Sequence, residues 1–105
     1  MKELTNKTFN EYINSEKKLV LVDFWAQWCG PCTIQKEILE ALERNKDISA
    51  IIASVNVDTE RELVTQFGIY SIPGIYLFKK GEIVFKSEGR IKNESVIREL
   101  INEHK

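Results

Sequence analysis

The feature that most constrains this chain is the run from Leu19 to Trp25, Leu-Val-Leu-Val-Asp-Phe-Trp, in which Asp23 is the only polar residue. A strand with one wet face alternates apolar and polar residues, whereas a run that is apolar at both parities must be buried on both faces. It therefore predicts a strand in the interior of a sheet, with helices above and below it. Interrupted by Asp23, the run is also far too short to span a bilayer.

The rest of the pattern supplies those helices. Pro31 stands where a proline opens a helix, and Ile34, Ile38, Leu39 and Leu42 continue at helical spacing. Phe9, Tyr12 and Ile13 predict an earlier helix over 5–15. Residues 48–57, rich in Ile and Val, predict a second long strand ending at Asp58. Thr59-Glu60-Arg61-Glu62 has the form of a capping box for a short helix that buries Leu63 and Phe67 and closes at Gly68. Ile75-Tyr76-Leu77-Phe78 and Ile83-Val84-Phe85 flank Lys79-Lys80-Gly81-Glu82 and predict a hairpin. Asn93 is placed to cap a last helix with Val96, Ile97, Leu100 and Ile101 on its inner face. The expected class is α/β: a single mixed β-sheet, parallel at its centre with an antiparallel hairpin added, and helices on both faces.

At 105 residues the chain suits one domain, 1–105, with one core. A formal net charge of −1 offers no global field for nucleic acid or an anionic membrane. The first residues, Met1 to Lys7, hold no apolar run resembling a signal peptide, so the expected location is cytoplasmic. A monomer is the default.

The chain has two cysteines, both in Cys29-Gly30-Pro31-Cys32. A bridge between such near neighbours closes a tiny loop and stabilises a fold little, so the pair is placed for chemistry. Cys29 falls between a buried strand and a helix N-terminus, where free N–H groups and the helix dipole favour a thiolate, the attacking species in disulfide exchange. Cys32, one turn on, is close enough to resolve a mixed disulfide on Cys29. Gly30 and Pro31 set the turn without a bulky side chain over the sulfur. Asp23, a carboxylate in apolar surroundings, is the candidate proton acceptor for Cys32. Other readings stand beside these. Cys-x-x-Cys can be half of a zinc site, against which His104 is the only histidine and no second cysteine pair exists. The cysteines could be inert core, and Asp23 a structural acid with a satisfied hydrogen bond.

The stretch Val22-Asp23-Phe24-Trp25-Ala26-Gln27-Trp28-Cys29-Gly30-Pro31-Cys32 resembles the thioredoxin family, and the likeness extends over nearly the whole chain. A Cys-x-x-Cys near a strand–helix–strand pattern is itself a recognised mark of that family. Phe67-Gly68-Ile69, Ile72-Pro73, Phe78-Lys79-Lys80-Gly81-Glu82 and Gly89 follow in the family's order. The resemblance implies a thioredoxin fold and a protein-disulfide reductase with no bound cofactor, whose redox couple is Cys29–Cys32 and which a thioredoxin reductase recycles. It implies that Trp25 packs beneath the site, that Trp28 covers the sulfurs, and that Pro73 is cis and faces them. Ile72, Gly74 and Gly89 would join Trp28 in an apolar docking groove. Spacing alone leaves open a trans Pro73 at a strand edge, and ordinary core and turn roles for the groove residues.

Three positions depart from the family pattern. Glu37 stands where a helix proline is usual, Ser54 where a lysine commonly neighbours the buried aspartate, and Gly74 where a threonine follows the proline. Without that lysine, Asp23 is expected to hold its proton more tightly than in relatives. Two competitors remain: an oxidant or isomerase, against which Gly30-Pro31 and the cytoplasmic reading argue, and a non-catalytic scaffold that binds a partner through Trp28 and Pro73.

Overall fold

A computed structural model describes every residue from Met1 to Lys105. The apolar run forms the middle strand of five. In chain order the elements are β1 (Lys2–Glu3), α1 (Phe9–Ser15), β2 (Leu19–Trp25), α2 (Gly30–Glu43), β3 (Ala50–Asn56), α3 (Arg61–Phe67), β4 (Gly74–Lys79), β5 (Glu82–Glu88) and α4 (Glu94–His104). The sheet order is β1-β3-β2-β4-β5. β3 lies parallel to β2 with Asp23 opposite Ser54, and β4 runs antiparallel on the other side with Phe24 opposite Gly74.

Alternation along β2 divides the core. Val20, Val22 and Phe24 point to one face and pack with Phe9 and Ile13 of α1, Leu63 of α3, and Tyr76 and Phe78 of β4. Leu19 and Leu21 point to the other, with Leu39 and Leu42 of α2 and Ile97, Leu100 and Ile101 of α4. Asp23 shares the parity of Leu19 and Leu21, so the strand's single carboxylate is delivered beneath α2. The hairpin turns on Lys80 and Gly81 with φ of 52° and 85°, a pair of left-handed residues suited to a two-residue loop.

Several local expectations are corrected. β1 was not expected: Lys2 and Glu3 pair with Ala53 and Ser54 through backbone alone. The first helix starts at Phe9 rather than Thr5, because the preceding residues form a turn in which Thr5 N–H donates to Thr8 Oγ1. The Thr59–Glu62 capping box does not form. The Thr59 hydroxyl is taken by Asn56 O and Glu60 Oε2, and α3 is capped from afar: Leu63 N–H donates to Asn6 Oδ1 while Asn6 N–H donates to Glu60 Oε1. Asn93 holds the N-cap position of α4 without a side-chain bond. Strand β3 begins at Ala50, since Ile48 closes a turn on Asn45. Ile34 and Val96 are exposed, each one residue off the inner row of its helix. No helix is long and apolar enough to cross a membrane.

Candidate active site

Cys29 is the N-cap of α2: its backbone is extended, and its Sγ accepts the Cys32 N–H at 3.2 Å. Gly30 and Pro31 make the first two helical positions, where proline's missing N–H costs nothing. The two cysteines are joined as a disulfide with Cα atoms 5.3 Å apart, and both are buried. The sulfur of Cys29 thus sits at the positive end of a 14-residue helix, with one N–H already aimed at it. The helix runs unbroken past Glu37.

Beneath α2 lies a cavity of about 480 Å³ whose lining includes Asp23, Trp25, Cys32, Lys36, Glu40 and Ser54. Asp23 is 1% exposed, and no protein group donates to its Oδ1. Burial pushes its carboxyl from 3.8 up to about 7, with the Lys36 ammonium pulling the other way. The opposing charge comes from α2, while Ser54, opposite Asp23 on β3, carries none. Trp25, half-buried, lines the same cavity below the cysteines.

Around the disulfide the groove residues take different positions. The Ile72–Pro73 peptide is cis. Pro73 and Gly74 are buried, while Ile72 and Gly89 are half-buried. Gly89 adopts φ +100°, open to glycine and strained for other residues, and its N–H donates to Pro73 O at 2.8 Å. A Cβ added at Gly74 would meet nothing closer than Ser71 O at 3.5 Å, so the fold does not demand glycine there. At Gly30 an added Cβ would meet no atom within 4 Å. Trp28 is 71% exposed, and its Nε1 donates to Asp58 Oδ2 at 2.9 Å, which fixes the ring.

Sequence reasoning missed Asp58, Lys36 and Gln35 in this region. Asp58 was noted only as the end of a strand, and Lys36 only shows its relation to Asp23 once α2 is laid over β2. Gln35, a polar residue beside the apolar Ile34, occupies the inner row that Ile34 was expected to fill. His104 contributes nothing here; its Nδ1 meets Leu100 O at 2.9 Å. No group of three or more His, Cys, Asp or Glu side chains is arranged to hold a metal ion.

The thioredoxin family model matches residues 1–103. The chain belongs to the thioredoxin family. A thioredoxin from Chlorobaculum thiosulfatiphilum is 40% identical over 97% of this chain and 94% of its own. One from Chlamydia caviae is 40% identical over 99% and 98%. The crystal structure of Chlamydomonas reinhardtii thioredoxin f2 superposes with a TM-score of 0.87 at 28% identity, covering 100% of this chain and 96% of that one. The chain is a thiol–disulfide oxidoreductase whose redox couple is the Cys29–Cys32 pair, with no cofactor. Disulfide substrates and an electron-donating reductase are its partners in the general sense that the family sets.

Proposed function

We propose that this chain is a single-domain, monomeric, cytoplasmic protein-disulfide reductase in which Cys29 attacks, Cys32 resolves and Asp23 carries the proton. In the reduced protein the Cys29 thiolate attacks one sulfur of a substrate disulfide, forming a mixed disulfide and expelling the first substrate thiolate. Cys32 then loses its thiol proton to the Asp23 carboxylate and attacks Cys29 Sγ. The second substrate thiolate leaves, and the Cys29–Cys32 bridge forms. Two electrons pass to the substrate, whose thiolates take up protons from solvent. A reductase thiol of the general class the family uses returns the couple to its dithiol state.

The observation that carries this reading is the shared placement of the three groups. Cys29 receives a helix-end N–H at its sulfur, while Cys32 and Asp23 line one cavity, the latter poised near pH 7. A base whose affinity for protons lies near the working pH is suited to accept one and give it back. The exposed Trp28, the cis Pro73 and the half-buried Ile72 and Gly89 support a docking role for this rim, with Gly30 and Pro31 leaving the approach to Cys29 unobstructed and Gly74 adding only backbone.

The test is dithiothreitol-driven reduction of insulin, comparing the native chain with Cys29→Ser. The native protein is expected to accelerate precipitation of the insulin B chain and the variant to run at the uncatalysed rate. A folded native protein without acceleration, or a serine variant that works equally well, would favour the scaffold.

A further inference from the structure

Gln35 is the buried polar side chain that the thiol chemistry leaves unused. It is 0% exposed, one turn beyond Cys32 in the inner row of α2, and its amide is engaged at both ends. Nε2 donates to Ile91 O at 3.3 Å, and Ile91 N–H donates to Oε1 at 2.7 Å. Packing alone would place an aliphatic side chain here, next to Leu39 and Leu42. An amide costs desolvation unless both its donor and its acceptor are matched. Both are, by the backbone of the segment that joins β5 to α4.

That segment leads back to the site. Two residues before Ile91 is Gly89, whose N–H donates to Pro73 O at 2.8 Å, directly after the cis bond. The contacts close a frame: from Cys32 along one helical turn to Gln35, across to Ile91, back along the chain to Gly89, and across to Pro73. Three segments separate in sequence, starting at Cys29, Ile72 and Gly89, are thus joined by three hydrogen bonds, which fix a register that the packing of Ile91 against the aliphatic core alone would leave free to slide.

We propose that Gln35 is a positioning residue for polypeptide substrates: its amide fixes the Gly89 segment against α2, and through Gly89 the Pro73 carbonyl, so that an extended chain carrying a disulfide docks in register with Cys29. The proposal rests on reading Trp28, Ile72, Pro73 and Gly89 as the docking groove. Gln35 touches no substrate. A small disulfide needs only the sulfur, whereas a protein disulfide needs the groove, and this separates positioning from chemistry.

The experiment uses the pre-reduced protein, its Gln35→Met variant, which keeps apolar bulk and removes both bonds, Gln35→Glu, which keeps the acceptor for Ile91 N–H, and Trp28→Ala as a probe of the groove itself. Second-order rate constants are measured with insulin and with 5,5′-dithiobis(2-nitrobenzoate). Gln35→Met is expected to react about fivefold more slowly with insulin, as the loss of an ordinary hydrogen-bonded link implies, and less than about twofold more slowly with the small disulfide. Gln35→Glu is expected to fall between, and amide exchange at Gly89 and Ile91 to quicken in Gln35→Met. Three results overturn the proposal. If Trp28→Ala slows insulin and Gln35→Met does not, the groove stands and the positioning role falls. If neither variant slows insulin, the groove reading falls and takes the proposal with it. If Gln35→Met slows both disulfides equally, Gln35 supports α2 and nothing more. Where the Met variant does not fold, the insulin-to-small-disulfide ratio of Gln35→Glu decides: a lowered ratio supports positioning and an unchanged ratio overturns it.

Discussion

The two faces of the sheet are built from different materials. On the α1 and α3 side, Phe9, Phe24, Phe67, Tyr76 and Phe78 interlock, mostly edge to face, with centroids between 5.0 and 6.4 Å apart. On the α2 and α4 side the core is aliphatic, and all three buried polar side chains, Asp23, Gln35 and Ser54, belong to it. Aromatic pairs add stability beyond the area they bury. A buried carboxyl without a donor subtracts from it. One face holds the fold together, and the other gives up stability by burying a carboxyl in the cavity that Cys32 also lines.

Changes on the aromatic face should lower stability and leave the proton chemistry alone. Phe9→Ala, in α1 and in contact with the rings of Phe67 and Phe78, is expected to cost about 3–5 kcal/mol in urea unfolding. The pH dependence of disulfide exchange should be unchanged, and a displaced profile would break the division of labour.

Asp23→Asn should do the reverse. Folded Asp23 keeps its proton up to about pH 7, whereas the unfolded chain releases it near 3.8, so the native state binds more protons between those values and loses stability as pH rises through them. Above pH 7 the deficit is complete, on the order of 4 kcal/mol. The Asn variant is therefore expected to be more stable than the native chain at pH 8.5 and equal to it below pH 4, while resolving mixed disulfides more slowly. Denaturant titrations at the two pH values read the first effect and stopped-flow mixing the second. Equal stability at both pH values would mean that Asp23 is not the burdened group.

The smallest effects concern the cations. Lys36→Met should raise the Asp23 pKa further, because it removes the ammonium that opposes the effect of burial, and Ser54→Lys should lower it by placing an ammonium in the cavity opposite Asp23. Carbon-13 chemical shifts of the Asp23 carboxyl follow both. Lys36 is exposed, so its effect should shrink as salt is added. A shift that ignores ionic strength would point to altered packing instead.

Much of this was legible because it is written in local pattern. Leu19–Trp25 announced the central strand, Pro31 the start of α2 to within a residue, and Lys80-Gly81 the hairpin. Asp23 stood out as a carboxylate with apolar neighbours. What could not be read depends on partners far along the chain. Asn6 caps a helix that begins at Arg61, and nothing near Asn6 says so. β1 is two residues of backbone pairing with no hydrophobic signature. Ile34 was placed on the inner row that Gln35 takes, since hydrophobicity sends an isoleucine inward and only Ile91 explains why a glutamine goes there instead. Asp58 and Lys36 became meaningful when folding brought Trp28 and Asp23 to them.

The outer strand β5 has a consequence of its own. It leaves a row of backbone groups unpaired at the rim of the sheet, and Glu82, Lys86 and Glu88 stand exposed along it. Charged rims are how sheets resist adding a stranger's strand. A protein whose work is to loosen the bridges of other proteins meets chains with open edges of their own, and these charges discourage such chains from adding a strand along β5.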